Sequence, residues 1–217
     1  MGAVYRSSYY KLIDCPPGGS TPFWHSSDRR QRSINWFQSA EKTANNLGGH
    51  LATINDNKEE VFLQDEFGDQ VAQAPNHGYA LVGLHDSHED LKYRWTSGQE
   101  VDLGQFNLSL SDSNNPNHLE DYVGIKLSGD PKGQWNDFGI YSGFLPSIAI
   151  AEIPLSYFSI ADASFREGKG GDITITRTGG TTTSQTLRVK SSDGSATTAD
   201  DDYAAINTTV SFEAGQT

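Results

Sequence analysis

Residues 33–68 read SINWFQSAEKTANNLGGHLATINDNKEEVFLQDEFG, and their first half predicts a helix. Apolar residues recur there at spacings of four, four and three, the repeat of an amphipathic helix. These residues are Trp36, Ala40, Ala44 and Leu47. Ser33 is suited to cap the start of this helix, and Gly48-Gly49 is suited to end it.

The remainder of the stretch predicts a short strand and a second helix. HLATI, residues 50–54, predicts the strand, and NDNKEEVFLQDEFG, residues 55–68, predicts the helix. Asp56 and Glu59 have the three-residue spacing of a capping box. Further along, YALVGL, KYRWT, DYVGIKL and SIAIAEI are strand-like runs separated by long polar loops. Two helices followed by a looped sheet indicate an α+β fold.

The composition excludes several classes of function. Acidic residues outnumber basic ones by 28 to 16, and the net charge of −12 disfavours nucleic acid and suits cations. No apolar run reaches the roughly 18 residues of a transmembrane helix, so no membrane insertion is predicted. No N-terminal signal peptide is visible. The single cysteine, Cys15, excludes an internal disulfide and a multi-thiolate metal site.

The composition changes near residue 155, which predicts two domains, 1–155 and 156–217. The first part carries all four Trp and all six His, whereas the second is rich in Thr, Ser, Asp and Gly. In the second part, DITITRT, TLRVKS and TVSFEAG alternate apolar and polar residues, as strands of a β-sandwich do.

Four blocks in the first part carry a resemblance to a known family. They are LGGHLATINDNKEEVFLQ, LVGLHDSHEDLKYRWTSG, EDYVGI and GQWNDF. In order and spacing they resemble the C-type lectin-like domain, over about residues 5–154. The resemblance implies two helices with looped antiparallel sheets, and a binding module that holds Ca²⁺ and is not an enzyme.

The resemblance also implies the ligands of a principal calcium site. Asn136 and Asp137 of GQWNDF are two of them, and Glu120 of EDYVGI matches a third. Calcium takes six to eight oxygen ligands, so further oxygens must converge from other loops. Adjacent residues on a regular strand point to opposite faces, so Asn136 and Asp137 reach one ion only where the backbone twists or bulges.

The family completes this site with a Glu-Pro-Asn or Gln-Pro-Asp triplet, and two registers compete for it here. The usual separation from Glu120 selects Asp112-Ser113-Asn114, which has an acid and an amide but no proline. Matching the proline selects Asn115-Pro116-Asn117, which has no carboxylate. We favour the first register. In the family, the choice between Glu-Pro-Asn and Gln-Pro-Asp goes with the choice of sugar, and this sequence has neither. The binding of calcium is therefore better supported than the binding of any particular sugar.

Two more ion sites follow from resemblance. Asp86 and Asp90 match an auxiliary site of the family, completed near Asp121 and Asn115, and the alternative is a solvated acidic loop.

The tail, over about residues 157–217, resembles the Calx-beta domain, a calcium-binding sandwich module. Glu167 and Asp202 match acidic positions of that family, and the alternative is a polar hairpin tip. The strands that close such a sandwich are not in this chain, so an incomplete all-β Ig-like sandwich with an open edge is predicted.

The sequence gives little support to an enzymatic function. His85, His88 and Glu89 could suggest zinc, but they lack the helical HExxH spacing. There is no GxSxG nucleophile motif. Trp36, Trp95 and Trp135 are predicted to be core residues.

The resulting hypothesis is a calcium-dependent carbohydrate-binding, lectin-like adhesion module of a larger secreted or surface protein. Its expected ligand is a glycan or a surface protein, and its expected location is extracellular or at the cell surface. The alternative is a calcium-stabilised structural or protein-protein interaction module that binds no sugar.

Overall fold

The structure is a computed structural model of the 217-residue chain. It describes residues 2–15, 29–74, 78–86, 92–104, 106–109, 120–139, 145–165 and 170–217. The chain divides into two compact units, Met1–Ile153 and Pro154–Thr217.

The first helix, α1, spans Arg29–Asn46. Ser33 lies inside the helix and is only 1% exposed, so its predicted role as the N-terminal cap was wrong. The predicted end is confirmed. Gly48 adopts a φ of 87°, which glycine tolerates without strain, and its N–H donates to the Asn45 carbonyl oxygen at 2.9 Å.

The predicted apolar stripe of α1 is confirmed at three of its four positions. Trp36, Ala40 and Ala44 are buried, at 2%, 2% and 0% exposure. Leu47 is 37% exposed, so its assignment to the stripe was wrong. Because α1 ends at Asn46, Leu47 no longer follows the helical repeat.

The second helix, α2, spans Asn57–Ala72, and its N-terminal cap at Asp56 is confirmed. The Asp56 side chain accepts a hydrogen bond from the Glu59 N–H at 2.9 Å. In a standard capping box, the Glu59 side chain would accept from the N–H of the cap residue, Asp56. Here it accepts instead from the N–H of Asn55, at 2.9 Å. The helix also continues four residues beyond the predicted segment 55–68.

The described residues of the first unit form one nine-stranded sheet in the order β1-β2-β9-β4-β7-β8-β6, with β3 on β9 and β5 on β4. The strands are β1 Gly2–Tyr5, β2 Ser8–Asp14, β3 His50–Leu51, β4 Tyr79–His85, β5 Arg94–Trp95, β6 Asn107–Ser109, β7 Tyr122–Lys126, β8 Gln134–Phe138 and β9 Ile148–Pro154. Together with the two helices, this sheet makes the unit α+β.

The sheet is mixed, which corrects the expectation of purely antiparallel pairing. The pairs β4–β9 and β6–β8 are parallel. Neither pair is consecutive along the chain, so no hairpin turn imposes opposite directions on the two strands.

The two helices contribute to different buried clusters. Leu63, Phe67 and Val71 of α2 pack with residues of the central strands such as Val82 and Trp135. The other cluster combines the buried stripe of α1 with Leu81, Tyr122 and Phe138. Trp36, Trp95 and Trp135 are all buried, which confirms their prediction as core residues.

The second unit contains two separate two-stranded antiparallel sheets. Their strands are β10 Ser156–Ile160, β11 Ile175–Gly179, β12 Gln185–Lys190 and β13 Asn207–Phe212. The rings of Phe158 and Phe212 lie 5.4 Å apart between their centroids, which joins the two hairpins. The described strands do not show an Ig-like sandwich, because each sheet has only two strands.

Candidate functional site

Strand β8, which carries GQWNDF, lies between β7 and β6. It pairs antiparallel with β7, with Val123 opposite Asp137 and Gly124 opposite Asn136. On its other side, Leu108 of β6 lies opposite Trp135. The β7–β8 register is continuous through all four of its residue pairs, without a bulge.

This continuous register places neighbouring side chains on opposite faces of the sheet. Trp135 and Asp137 start on one face and are 0% and 1% exposed, whereas Asn136 starts on the other and is partly exposed. The bulge that would bring Asn136 and Asp137 to one side is therefore not part of this ladder.

The side chain of Asn136 nevertheless turns toward Asp137. Its Nδ2 lies 2.6 Å from the main-chain carbonyl oxygen of Asp137, to which it donates. The oxygen and nitrogen of a carboxamide are assigned from hydrogen bonding, so a half-turn of the amide brings Oδ1 to the same place. After such a turn, the Asn136 Oδ1 and the Asp137 carbonyl oxygen would be two adjacent oxygen donors of the kind that Ca²⁺ takes as ligands.

Trp135 is anchored from α2. Its indole Nε1 donates to Oε2 of Glu60 at 3.0 Å, and its ring lies 4.6 Å from that of Phe106 and 6.1 Å from that of Trp95, between centroids. The sequence analysis missed Glu60. A signal was present, since Glu60, Leu63, Phe67 and Val71 recur at helical spacing and all four are buried.

Both oxygens of the Glu60 carboxylate are engaged. Gln64 Nε2 donates to Oε1 at 2.9 Å, while Trp135 donates to Oε2. Burial raises the pKa of Glu60, and the hydrogen bonds from Trp135 and Gln64 oppose that shift. A Cβ at Gly133, just before β8, would come within 2.3 Å of Oε1, so only glycine fits there without rearrangement.

Three predicted acidic ligands lie where β4 ends and β7 begins. Asp86 follows β4, and its N–H donates to the carbonyl oxygen of Asp121 at 3.0 Å. Glu120 and Asp121 directly precede β7. Exposure is 4% for Asp86, 9% for Glu120 and 2% for Asp121, so all three carboxyl groups belong to the interior of the unit.

The other predicted ligands of the first unit lie outside the described residues. They are Asp112, Asn114, Asp90 and the alternative triplet Asn115-Pro116-Asn117. Within the part of the chain that the structure describes, no three His, Cys, Asp or Glu side chains form a metal-binding group. The assignment of these ligands remains a prediction.

Of the three residues considered for zinc, the structure describes only His85. His88 and Glu89 lie outside the described residues. The His85 ring is 5.3 Å from the Phe37 ring and 6.5 Å from the Tyr122 ring, between centroids. His85 is therefore packed among aromatic rings.

In the second unit, Asp202 lies in a loop with extensive internal hydrogen bonding. Its Oδ2 accepts from the Thr197 N–H at 2.9 Å. Asp193 accepts from the Thr198 N–H at 3.0 Å and from the Tyr203 hydroxyl at 2.7 Å. The bond from Tyr203 is the main cause that lowers the pKa of Asp193. Glu167 lies outside the described residues.

A second group of buried acids, which the sequence analysis missed, lies beneath the N-terminal hairpin. The Tyr10 hydroxyl donates to Oε1 of Glu59. Glu152 accepts from Ser8 Oγ at 2.8 Å and from the Thr53 N–H at 3.0 Å. Burial raises the pKa of Glu59, and burial together with the charge of Glu152 raises the pKa of Tyr10. These contacts connect β2, α2 and β9.

The family model described as the Lectin C-type domain matches residues 32–139. This range runs from α1 to the end of β8. Human C-type lectin domain family 4 member E is 26% identical over 118 residues, which cover 54% of this chain and 48% of that protein. The chain therefore spans about half the length of this curated relative.

Similar solved structures include the cow C-type carbohydrate-recognition domain of CD23 in the presence of a GlcNAc2Man3 oligosaccharide, at 17% identity, 70% and 92% coverage of the two chains, and a TM-score of 0.47. Human lithostathine is 13% identical, with 70% and 88% coverage and a TM-score of 0.48. A calcium-independent type II antifreeze protein is 15% identical, with 70% and 91% coverage and a TM-score of 0.46. All three TM-scores are low, and function does not follow from them.

The class that the family match defines is the C-type lectin domain, whose members are generally binding modules. The chain contains one such domain. The family match ends at residue 139 and gives no support to the Calx-beta resemblance of the tail, which stays a prediction. Neither described helix has the length and apolar character needed to cross a membrane.

Proposed function

We propose that the first unit recognises carbohydrate through a bound calcium ion. The observation that carries this proposal is the Asn136 carboxamide, 2.6 Å from the Asp137 carbonyl oxygen on a strand of a C-type lectin domain. The proposed ligands are Asp112, Asn114, Glu120, Asn136 and Asp137.

The chemistry of the described donors supports this choice of ion. Glu120 and Asp137 contribute carboxylates and Asn136 a carboxamide, and oxygen donors of this kind suit Ca²⁺. Zinc is less suitable, because its protein sites draw on Cys and His.

The β7–β8 ladder fixes the backbone at Asn136 and Asp137, which supports their proposed role as ligands. Asp137 is held by the β7 ladder, and Asn136 can turn its amide without moving the strand. When bound, Ca²⁺ supplies open coordination positions that accept two sugar hydroxyls. Specificity then depends on the triplet that contains Asp112 and Asn114.

A wider role follows from this proposal. C-type lectin domains are mostly found outside cells or on their surface, so we propose that this chain is an adhesion module of a secreted or surface protein. Asp86, Asp90 and Asp121 are the proposed auxiliary ion site. Glu167 and Asp202 are the proposed ion ligands of a Calx-beta-like tail.

The experiment is titration calorimetry with calcium, followed by a glycan array with and without chelator. Asn136→Ala is expected to abolish both the calcium signal and the chelator-sensitive glycan signal. Asn46→Ala, at an exposed position at the end of α1, is the matched control and is expected to retain both. A protein that binds no calcium would contradict the lectin mechanism.

A second candidate is an interaction module that binds protein and no sugar. The continuous β7–β8 register favours it, because Asn136 and Asp137 start on opposite faces. Calcium binding without any chelator-sensitive glycan signal is the result expected for this candidate.

A further inference from the structure

We propose that Glu60 is a positioning residue for the calcium site, and that it acts by holding Trp135 and with it the start of β8. This inference rests on the proposed function. Glu60 is not itself one of the proposed ion ligands, and it lies 75 positions from Trp135 in the sequence.

The indole of Trp135 has one hydrogen-bond donor, and Glu60 is its acceptor. Trp135 is 0% exposed and Glu60 is 9% exposed, so the bond lies mostly inside the unit. A buried donor left without an acceptor is costly, and the strand would have to shift to relieve it. Because Trp135 directly precedes Asn136, any such shift moves the proposed ligands.

Glu60 also limits where β8 begins. Its Oε1 lies 2.3 Å from the position that a Cβ of Gly133 would take, and the Gly133 N–H donates to the Lys126 carbonyl oxygen at 2.9 Å in the turn from β7. The same carboxylate thus bonds the second residue of the strand and occupies the space that a side chain at residue 133 would need.

The two strands beside β8 restrain it unequally. On one side β8 is held by the β7 ladder, but on the other it has only β6, three residues long and at the edge of the sheet. A short edge strand is a weak restraint. The α2 helix, through Glu60, supplies a third contact from the face of the sheet.

The carboxylate is itself preoriented. Gln64 holds Oε1 at 2.9 Å from one turn further along α2. Removal of a group bonded directly to a metal ligand typically changes metal affinity by about 10–100-fold. Glu60 acts one residue further away, through Trp135, so an effect at the lower end of this range is expected in calcium binding.

The test compares Glu60→Ala, Glu60→Gln and the control Glu66→Gln, an exposed carboxylate on the same helix. Calcium alone is titrated into each protein by calorimetry. Glu60→Ala is expected to weaken calcium binding by about tenfold. Glu60→Gln keeps one acceptor oxygen and should recover most of the affinity, and Glu66→Gln should match the unaltered protein.

A calcium-free measurement accompanies it. Amide hydrogen exchange in β8, without calcium, is expected to be faster in Glu60→Ala than in Glu66→Gln, while exchange in β9 is unchanged. A folded Glu60→Ala protein with unaltered calcium affinity would overturn the positioning role and leave the proposed function standing. Absence of calcium binding by the unaltered protein would overturn both.

If Glu60→Ala does not fold, Trp135→Phe carries the test. It removes the indole N–H that donates to Glu60 but keeps an aromatic ring in the core. The positioning role requires weaker calcium binding in this variant than in Glu66→Gln, and equal affinities would reject it.

Discussion

The phenolic hydroxyl of Tyr10, on the N-terminal hairpin, donates a hydrogen bond to the carboxylate of Glu59, in the first turn of α2. Both side chains are buried, at 2% and 1% exposure. The bond joins the edge of the sheet to the helix that carries Glu60, so the hairpin and the proposed site share one supporting element.

This relationship predicts a pH dependence of stability. Burial raises the pKa of Glu59 above its unfolded value of about 4.3, so the native state holds the proton more tightly. The resulting stabilisation is fully present below the unfolded pKa of about 4.3, and it is lost as the pH rises through the native pKa. Relative to Glu59→Gln, the free energy of unfolding of the unaltered protein is therefore expected to fall across this range.

Urea denaturation at a series of pH values checks this prediction. Asp65→Asn, at an exposed position on α2, is the control and should follow the unaltered protein at every pH. The raised pKa of Glu59 would be contradicted if the difference in unfolding free energy between the unaltered protein and Glu59→Gln stayed constant with pH.

Gly133 is expected to be more sensitive to alanine than Gly98. Both have positive φ, 73° and 77°, so each substitution costs about 1–2 kcal/mol from the backbone alone. A Cβ at Gly98 would meet no described heavy atom within 4 Å, whereas one at Gly133 would clash with Glu60. Thermal unfolding should show Gly133→Ala to be the less stable variant, and equal stabilities would mean that Glu60 moves aside freely.

Two variants of Asp56 separate the contribution of the α2 cap to stability from that of the surface ion pair. Asp56 caps the helix and also contacts Arg6, with 2.5 Å between Oδ2 and the guanidinium nitrogen. Asp56→Asn keeps a capping oxygen but removes the charge, and is expected to cost little because solvent screens an exposed ion pair. Asp56→Ala removes both and should cost about 1 kcal/mol more. Equal losses in chemical denaturation would show that the ion pair, and not the cap, matters.

Arg177 is expected to hold the second unit together. It is 1% exposed, and its Nη2 donates to the carbonyl oxygens of Gly180 at 2.7 Å and Thr183 at 2.8 Å. Its Nε also donates to the Gly180 carbonyl oxygen, at 3.1 Å. A lysine has only one nitrogen and cannot make all three bonds, so Arg177→Lys should destabilise the unit by about 1–3 kcal/mol.

Hydrogen exchange of the β10–β13 amides is the measurement for Arg177, since all Trp residues lie in the first unit. Arg188→Lys is the control, because the Arg188 bond from Nε to Asn207 Oδ1, at 3.0 Å, is exposed. Equal protection in the two variants would mean that the Arg177 contacts are incidental.

The features that could be predicted from sequence depend on neighbouring residues. The Asp56 cap, the glycine end of α1 and the apolar stripe up to Ala44 each involve groups within one or two helical turns. The prediction failed at Ser33 and Leu47, where helix boundaries shift the pattern. The GQWNDF motif was recognised, but its continuous strand and the pairing of that strand with β6 were not predicted.

The sequence by itself determined the helices, most strands and the composition of the proposed site, because propensity, capping and alternation act over short distances. Only the tertiary structure decided that Glu60 holds Trp135 and that Tyr10 bonds Glu59, 75 and 49 positions apart. It also decided that β8 is a continuous strand with Asn136 and Asp137 starting on opposite faces. The physical reason is that burial and pairing bring distant residues together, and no local pattern records which buried carboxylate meets which donor.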